Sequence, residues 1–228
     1  MKMFSSKISA VLSIAVLLLL SPFARAGVVM GGTRVIYQEN KKEASISVNN
    51  QDSSTPYLIQ SWLENATPDD NRAVPFIVTP PLFRLEPEKS SVLRISYTGA
   101  PLPKDRESVF WLNIKSIAPS NPDGGNRLQV NIKSKFKLFY RPSGLEGNPL
   151  EAYKKVTFRR QGNQLIAHNP TPYFVSFYKV NVSGHEIKNP GMVPPAGDCQ
   201  WTLSGGNQVS WQAINDFGGI TEVARQAL

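Results

Sequence analysis

Apolar and polar residues alternate with a period of two from Arg127 to Tyr140. Leu128, Val130, Ile132, Phe136 and Leu138 fall on one side, and Gln129, Asn131, Lys133, Lys135 and Lys137 on the other. That period predicts a half-buried β-strand, because successive strand side chains point to opposite faces. Shorter β-favouring runs precede it at Thr33 to Tyr37, Ala44 to Val48, Tyr57 to Leu63, Val92 to Tyr97 and Val109 to Ile114. Turn formers separate them: Asn49-Asn50, Pro68-Asp69-Asp70-Asn71, Thr79-Pro80-Pro81 and Asp123-Gly124-Gly125. Pro142-Ser143-Gly144 and Gly147-Asn148-Pro149 then read as a linker, and a second series of runs follows. It comprises Lys154 to Arg160, Gln164 to His168, Tyr173 to Val182, Gln200 to Leu203 and Gln208 to Ala213, with Gln161-Gly162-Asn163 as a hairpin turn. No window of about ten residues keeps a helical period. The expectation is an all-β protein of two immunoglobulin-like β-sandwich domains, 27–142 and 143–228. A closed barrel is the competing architecture for the first.

The start of the chain departs from this pattern. Lys2 and Lys7 lead into an apolar run from Ile8 to Leu20, shorter than the roughly 20 residues a bilayer span needs. Ser21-Pro22 breaks the run, and Ala24-Arg25-Ala26 supplies a small-x-small cleavage pattern. Residues 1–26 therefore read as a signal peptide, removed on export to a bacterial periplasm, and no later segment reads as membrane-inserted.

Charge and composition narrow the chemistry. Lys plus Arg is 25 against 17 for Asp plus Glu, a net charge of +8 with a pI near 9.6. The leader carries three of those cations. The remaining lysines of the long strand form a narrow ridge, with no stacking aromatics interleaved, so nucleic acid is not an expected partner. One cysteine, Cys199, excludes an intrachain disulfide framework, and it reads as a buried or turn thiol. Two histidines, His168 and His185, argue against a multi-histidine metal site and read as structural or solvated. There is no Gly-x-Ser-x-Gly elbow, no phosphate-binding glycine loop and no marked carboxylate pair. The expectation is a protein that is not an enzyme, with no metal and no cofactor.

The long strand raises a geometric problem. Extended, it spans roughly 46 Å at about 3.3 Å per residue, whereas strands usually run about 5–6 residues. Leu128, Val130 and Ile132 thus reach past what one small sandwich covers. Two readings stay open on the pattern alone. One is a long twisted strand covered by its own sheet. The other is β-augmentation, in which the strand pairs with a partner's free edge and gives it alternate side chains.

Several motifs, in order along the chain, resemble one family. They are Thr33-Arg34-Val35-Ile36-Tyr37, Thr79-Pro80-Pro81 with Arg84-Leu85-Glu86-Pro87, and Leu102-Pro103-Lys104-Asp105-Arg106-Glu107-Ser108. Lys137-Leu138-Phe139-Tyr140-Arg141-Pro142, Asn169-Pro170-Thr171-Pro172-Tyr173 and Ile214-Asn215-Asp216-Phe217-Gly218-Gly219 complete the set. Together they are similar to the PapD-like periplasmic pilus-assembly chaperones of the chaperone–usher pathway. The resemblance implies two immunoglobulin-like domains in an L or boomerang around a cleft. It implies that Arg34 and Lys137 anchor the C-terminal carboxylate of a pilus subunit, a task suited to charge-assisted hydrogen bonds. It implies that Leu128, Val130 and Ile132 form a donor strand completing the subunit's sandwich, and that the subunit passes to an outer-membrane usher. Glu107, Arg141 and Asp216 match an interdomain charge cluster. The short connection from Ile117 to Asn126 resembles the short-loop subgroup. Cys199 stands alone where some relatives carry a pair, so the chain departs from them there. The exposed stripe also fits a self-capping dimer of the free protein. The alternative, a pilus structural subunit or adhesin of related fold, usually carries an N-terminal donor extension and a disulfide, and this sequence shows neither.

Overall fold

The computed structural model describes residues 27–67, 70–120, 130–203 and 205–228. Residues 1–26, Leu128, Asp123-Gly124-Gly125 and most of the connection before the long strand lie outside the described residues.

Among the described residues, nine strands build the first sandwich: β1 (Val28–Met30), β2 (Arg34–Gln38), β3 (Ala44–Asn50), β4 (Tyr57–Asn65), β5 (Phe76–Thr79), β6 (Leu82–Leu85), β7 (Ser90–Tyr97), β8 (Ser108–Ile117) and β9 (Ile132–Arg141). One sheet has the order β1-β3-β7-β5 and the other β2-β9-β8-β4-β6. Their inner faces share a core that includes Ile46, Val48, Ile59, Leu93, Ile95, Leu112, Ile114 and Leu138. Alternation puts them there: β7 buries Leu93 and Ile95 and turns Arg94 to solvent.

The chain changes sheet between its first two strands. β1 pairs with β3, whereas β2 pairs in parallel with β9, Arg34 opposite Lys137 through Gln38 opposite Arg141. Gly31 lies at the crossing. Its N–H donates to the Ser47 carbonyl at 2.9 Å, and a Cβ there would collide with the Ser47 side chain. The consequence lies on β9. β8 pairs with it all the way from Ile132 to Tyr140, but β2 covers its other edge only from Lys137 onward. Among the described residues, no strand pairs with that edge from Ile132 to Phe136.

The second sandwich contains β10 (Thr157–Gln161), β11 (Gln164–Asn169), β12 (Val175–Val182), β13 (His185–Glu186), β14 (Met192–Val193), β15 (Gly197–Thr202), β16 (Gln208–Ala213) and β17 (Ala224–Ala227). Its sheets run β10-β11-β15 and β13-β12-β16-β17, with β14 beside β12. A separate core gathers Phe158, Leu165, Val180, Val182, Val209 and Trp211. Each sandwich therefore has its own apolar interior.

Several details correct the sequence-based expectation. Lys154 to Arg160 is not one strand: a 3-10 helix runs Pro149–Lys155, and the strand begins at Thr157. Local chemistry explains it, because Asn148 caps the helix by accepting from the Leu150 N–H at 2.9 Å and Pro149 supplies the preset first turn. Tyr173 and Phe174 lie before β12, not in it. The Thr79-Pro80-Pro81 turn joins β5 and β6, two strands too short for their alternation to be read. Val130 is described but lies outside β9, which begins at Ile132.

Candidate functional site

β9 changes its surroundings along its length. On its inner face Phe136, Leu138 and Tyr140 are buried in the first core, whereas Ile132 is 62% exposed and Val130 66%. One apolar stripe is thus half core and half surface. On the outer face Lys133 lies 4.9 Å from the Trp62 ring centre and Lys135 lies 5.0 Å from that of Trp111. Glu64 accepts from the Trp62 indole at 2.8 Å and sits 3.2 Å from the Lys135 ammonium. Trp62 and Trp111 come from β4 and β8, so the sequence around the lysines gave no sign of them. They make these two lysines a cation–π ladder on a solvent face.

Lys137 has a different setting. It enters the junction between the sandwiches, where its Nζ donates to Ser176 Oγ at 3.3 Å. Its register partner Arg34 donates from Nη1 to the Ile214 carbonyl at 3.0 Å and stands over the Phe139 ring at 5.7 Å. The Arg34 Nε is buried without a hydrogen-bond partner. Neither cation forms an ion pair among the described residues. Burial lowers the pKa of both, and for Lys137 the neighbouring Arg34 charge lowers it further. Two like charges are therefore held together, partly desolvated, at the inner end of β9's open edge. That arrangement favours an anion with two acceptor oxygens.

The predicted cluster of Glu107, Arg141 and Asp216 also comes together here. Arg141 donates from Nε to Glu107 Oε1 at 2.7 Å, and from Nη1 and Nη2 to the two Asp216 oxygens at 2.7 and 3.0 Å. Glu107 Oε2 accepts from the Phe174 N–H at 2.7 Å, and the Glu107 N–H donates to the Pro172 carbonyl at 2.9 Å. Phe139 packs on Phe174 at 5.8 Å, and Arg141 stands 5.3 Å over the Tyr173 ring. Burial is the strongest influence on Glu107 and pushes its carboxyl up despite the Arg141 charge. Burial also opposes the Arg141 cation more than any other single influence, yet Asp216 and Glu107 together raise its pKa. The Arg141–Asp216 pair and the Glu107 bonds to the Pro172 and Phe174 backbone thus tie one sandwich to the other, while the ion pairs offset a large desolvation cost.

A loop of the second sandwich closes the junction. Ile214 to Ile220 carries both Asp216 and the carbonyl that Arg34 contacts. Gly218 has φ +83, and a Cβ there would fall on the Thr33 hydroxyl. Glycine is needed for the conformation and for the close approach. Arg34, Phe139, Leu150, Ser176, Ile214 and Asn215 line a shared cavity at this point. Cys199, by contrast, lies in β15 of the second sandwich, where burial pushes its thiol up to about 12.

An all-β protein with two sandwiches, an open strand edge and a cationic cleft presents the surfaces of a binding protein. Comparison with known proteins makes the class specific. Residues 27–146 match the family described as pili and flagellar-assembly chaperone, PapD N-terminal domain, and residues 151–224 match pili assembly chaperone PapD, C-terminal domain. The chain is 42% identical over 207 residues to chaperone protein LpfB of Salmonella typhimurium, covering 88% of each chain. It is 43% identical over 228 residues to chaperone protein FimB/FhaD of Bordetella pertussis, covering 93% of each. In structure it resembles a chain of the Salmonella enterica SafA pilin–SafB chaperone complex, with TM-score 0.81, 36% identity and coverage of 89% of this chain and 96% of that one. The chain belongs to the PapD-like pilus-assembly chaperones.

Proposed function

We propose that this chaperone captures pilus subunits by donating β9, with Val130 and Ile132, and Leu128 beyond the described residues, entering the subunit's apolar groove. The carrying observation is the continuity of two features: an unpaired edge from Ile132 to Phe136 and two cations, Arg34 and Lys137, at its inner end. The direction of pairing follows from that continuity. If the subunit's C-terminal carboxylate sits on Arg34 and Lys137, its preceding residues run back beside Phe136 toward Ile132. The subunit strand is then parallel to β9 and continues the line of β2. Main-chain hydrogen bonds along the edge supply affinity, and alternate side chains supply selection.

In this reading Glu107, Arg141 and Asp216 fix the angle between the sandwiches, so that the cations face the bound strand. Domain boundaries near 27–142 and 143–228 fit the two separate cores. Residues 1–26 direct export to the periplasm and are then removed. Among the described residues no helix is long and apolar enough to cross a membrane. The subunit is released at an outer-membrane usher, and two free chaperones cap their donor strands by pairing. No cofactor, metal or reaction enters the cycle.

The test is isolation of the tagged protein from the periplasm of cells co-expressing a pilus operon. A stoichiometric pilin is expected with the wild type and none with Arg34→Ala or Lys137→Ala, each variant staying folded. Full pilin retention by both variants would sink the anchoring role.

A further inference from the structure

The loop that closes the junction holds a large apolar side chain in water. Phe217 is 86% exposed, more than any other large hydrophobic residue among those described, and Ile220 beside it is 50% exposed. The loop is not loose. Asn215 Oδ1 accepts from the N–H groups of Phe217 and Gly219 at 3.0 and 2.9 Å. The Asn215 N–H donates to the Gly219 carbonyl at 2.9 Å, and its carbonyl accepts from Gly218 at 3.0 Å. Ile214 and Ile220 form a β-bridge across its base. Asp216 is held by Arg141 and the Ile214 carbonyl by Arg34. Phe217 therefore sits between residues fixed to both sandwiches.

The position of this loop defines what it faces. Gly218 abuts Thr33, the residue immediately before Arg34. A strand that continues the line of β2 and ends on Arg34 brings its last residues to Thr33, beside Phe217. We propose that Phe217, flanked by Ile220, is a second contact on the captured pilus subunit: an apolar anchor for the end of the subunit's sandwich from which its last strand emerges. This rests on the strand-donation reading and adds the second domain to the binding surface. The occupant is chosen by continuity with the Arg34 and Lys137 site, since the same loop supplies the Arg34 acceptor. An aromatic side chain on a rigid loop suits the role, because little freedom remains to be lost on binding and interface energy concentrates in such residues.

The experiment measures dissociation of the pilin that co-purifies with the full-length chaperone. Phe217→Ala is compared with the wild type, with Phe217→Trp and with Tyr178→Ala, an exposed aromatic on β12 of the same domain. Expected for Phe217→Ala is dissociation about tenfold faster, with an unchanged melting temperature. Phe217→Trp should restore slow release, and Tyr178→Ala should match the wild type. Wild-type dissociation from Phe217→Ala, alongside lost capture by Arg34→Ala, overturns this inference and leaves strand donation standing. Retained capture by Arg34→Ala instead overturns the anchoring role beneath it. If Phe217→Ala alters only self-association of the free protein in sedimentation, the loop contacts a second copy and the inference also falls. A large drop in melting temperature for Phe217→Ala would make the residue structural and overturn it too.

Discussion

Arg34 and Arg141 lie on paired strands, on the same outward face and in the same junction, yet their partners differ sharply. Arg141 makes three charge-assisted hydrogen bonds to two carboxylates. Arg34 makes one bond to a backbone carbonyl, keeps a buried Nε without a partner and lies opposite another cation. Burial opposes the charge of both, but only Arg141 has enough anionic contact to reverse the effect. The contrast separates an arginine that completes the fold from one that the fold leaves incomplete. Buried polar groups are normally satisfied, so a cation buried with one carbonyl acceptor beside a second cation carries a desolvation cost that the fold alone does not offset, which marks Arg34 as a candidate binding group.

Substitution of each arginine should split stability from capture. Arg141→Ala leaves Glu107 buried with a carboxylate that has lost its cation. A loss of about 3–5 kcal/mol in unfolding free energy is expected, because breaking a buried pair from one side strands its partner. Denaturant unfolding measures it, and a loss below about 1 kcal/mol would place Arg141 with ordinary surface pairs. Arg34→Ala should do the opposite. Stability stays within about 1 kcal/mol of the wild type, while subunit binding weakens by about 2–5 kcal/mol as one side of a desolvated charge contact is removed. Equal stability losses in the two variants would erase the distinction.

Ile132→Asp applies the comparison to the apolar stripe. Ile132 and Leu138 share one side of β9, but Ile132 is exposed and Leu138 is fully buried. The aspartate should weaken subunit binding by roughly 1–3 kcal/mol, the cost of putting a polar group into an apolar groove, with little change in melting temperature. Leu138→Ala should instead cost about 2–5 kcal/mol of stability. A collapsed melting temperature for Ile132→Asp would return Ile132 to the protein's own core.

The same residues mark how far the sequence could be read. Two all-β domains followed from period-two runs and turn formers, because alternation and chain reversal are local properties. The excess length of the long strand was also local, and it singled out the stretch around Ile132. Which lysine belonged to the cleft was not local. Lys133, Lys135 and Lys137 have the same spacing, and only resemblance to relatives distinguished Lys137. Trp62, Trp111 and Glu64 claim the first two from other strands, and Ser176 meets the third from the other domain. The 3-10 helix is not legible in the pattern although Asn148 and Pro149 signal its start, since seven residues give too little periodicity to outweigh the β-favouring run after it. Phe217 could be read as part of a motif but not as exposed, because its exposure depends on Thr33 and Arg141 holding the loop from afar.

The smallest effect concerns Lys137 and has opposite signs in the free and bound protein. Its pKa is lowered by burial and by Arg34, so the folded free chaperone binds this proton less tightly than the unfolded chain does. Above the depressed folded pKa and below the ordinary lysine value, the unfolded state carries more protons. Stability of the free protein therefore rises with pH across that window through this group. Capture falls across the same window, because a neutral amine no longer attracts a carboxylate, and the bound carboxylate favours return of the proton. Affinity for a pilin C-terminal peptide should drop by up to about tenfold per pH unit there. Lys137→Arg keeps its charge to higher pH and isolates the contribution from other groups. Subtracting its profile should leave rising stability and falling affinity in the wild type. Identical affinity profiles for the two proteins would mean that Arg34 alone holds the carboxylate and that Lys137, for all its burial, belongs with the ridge.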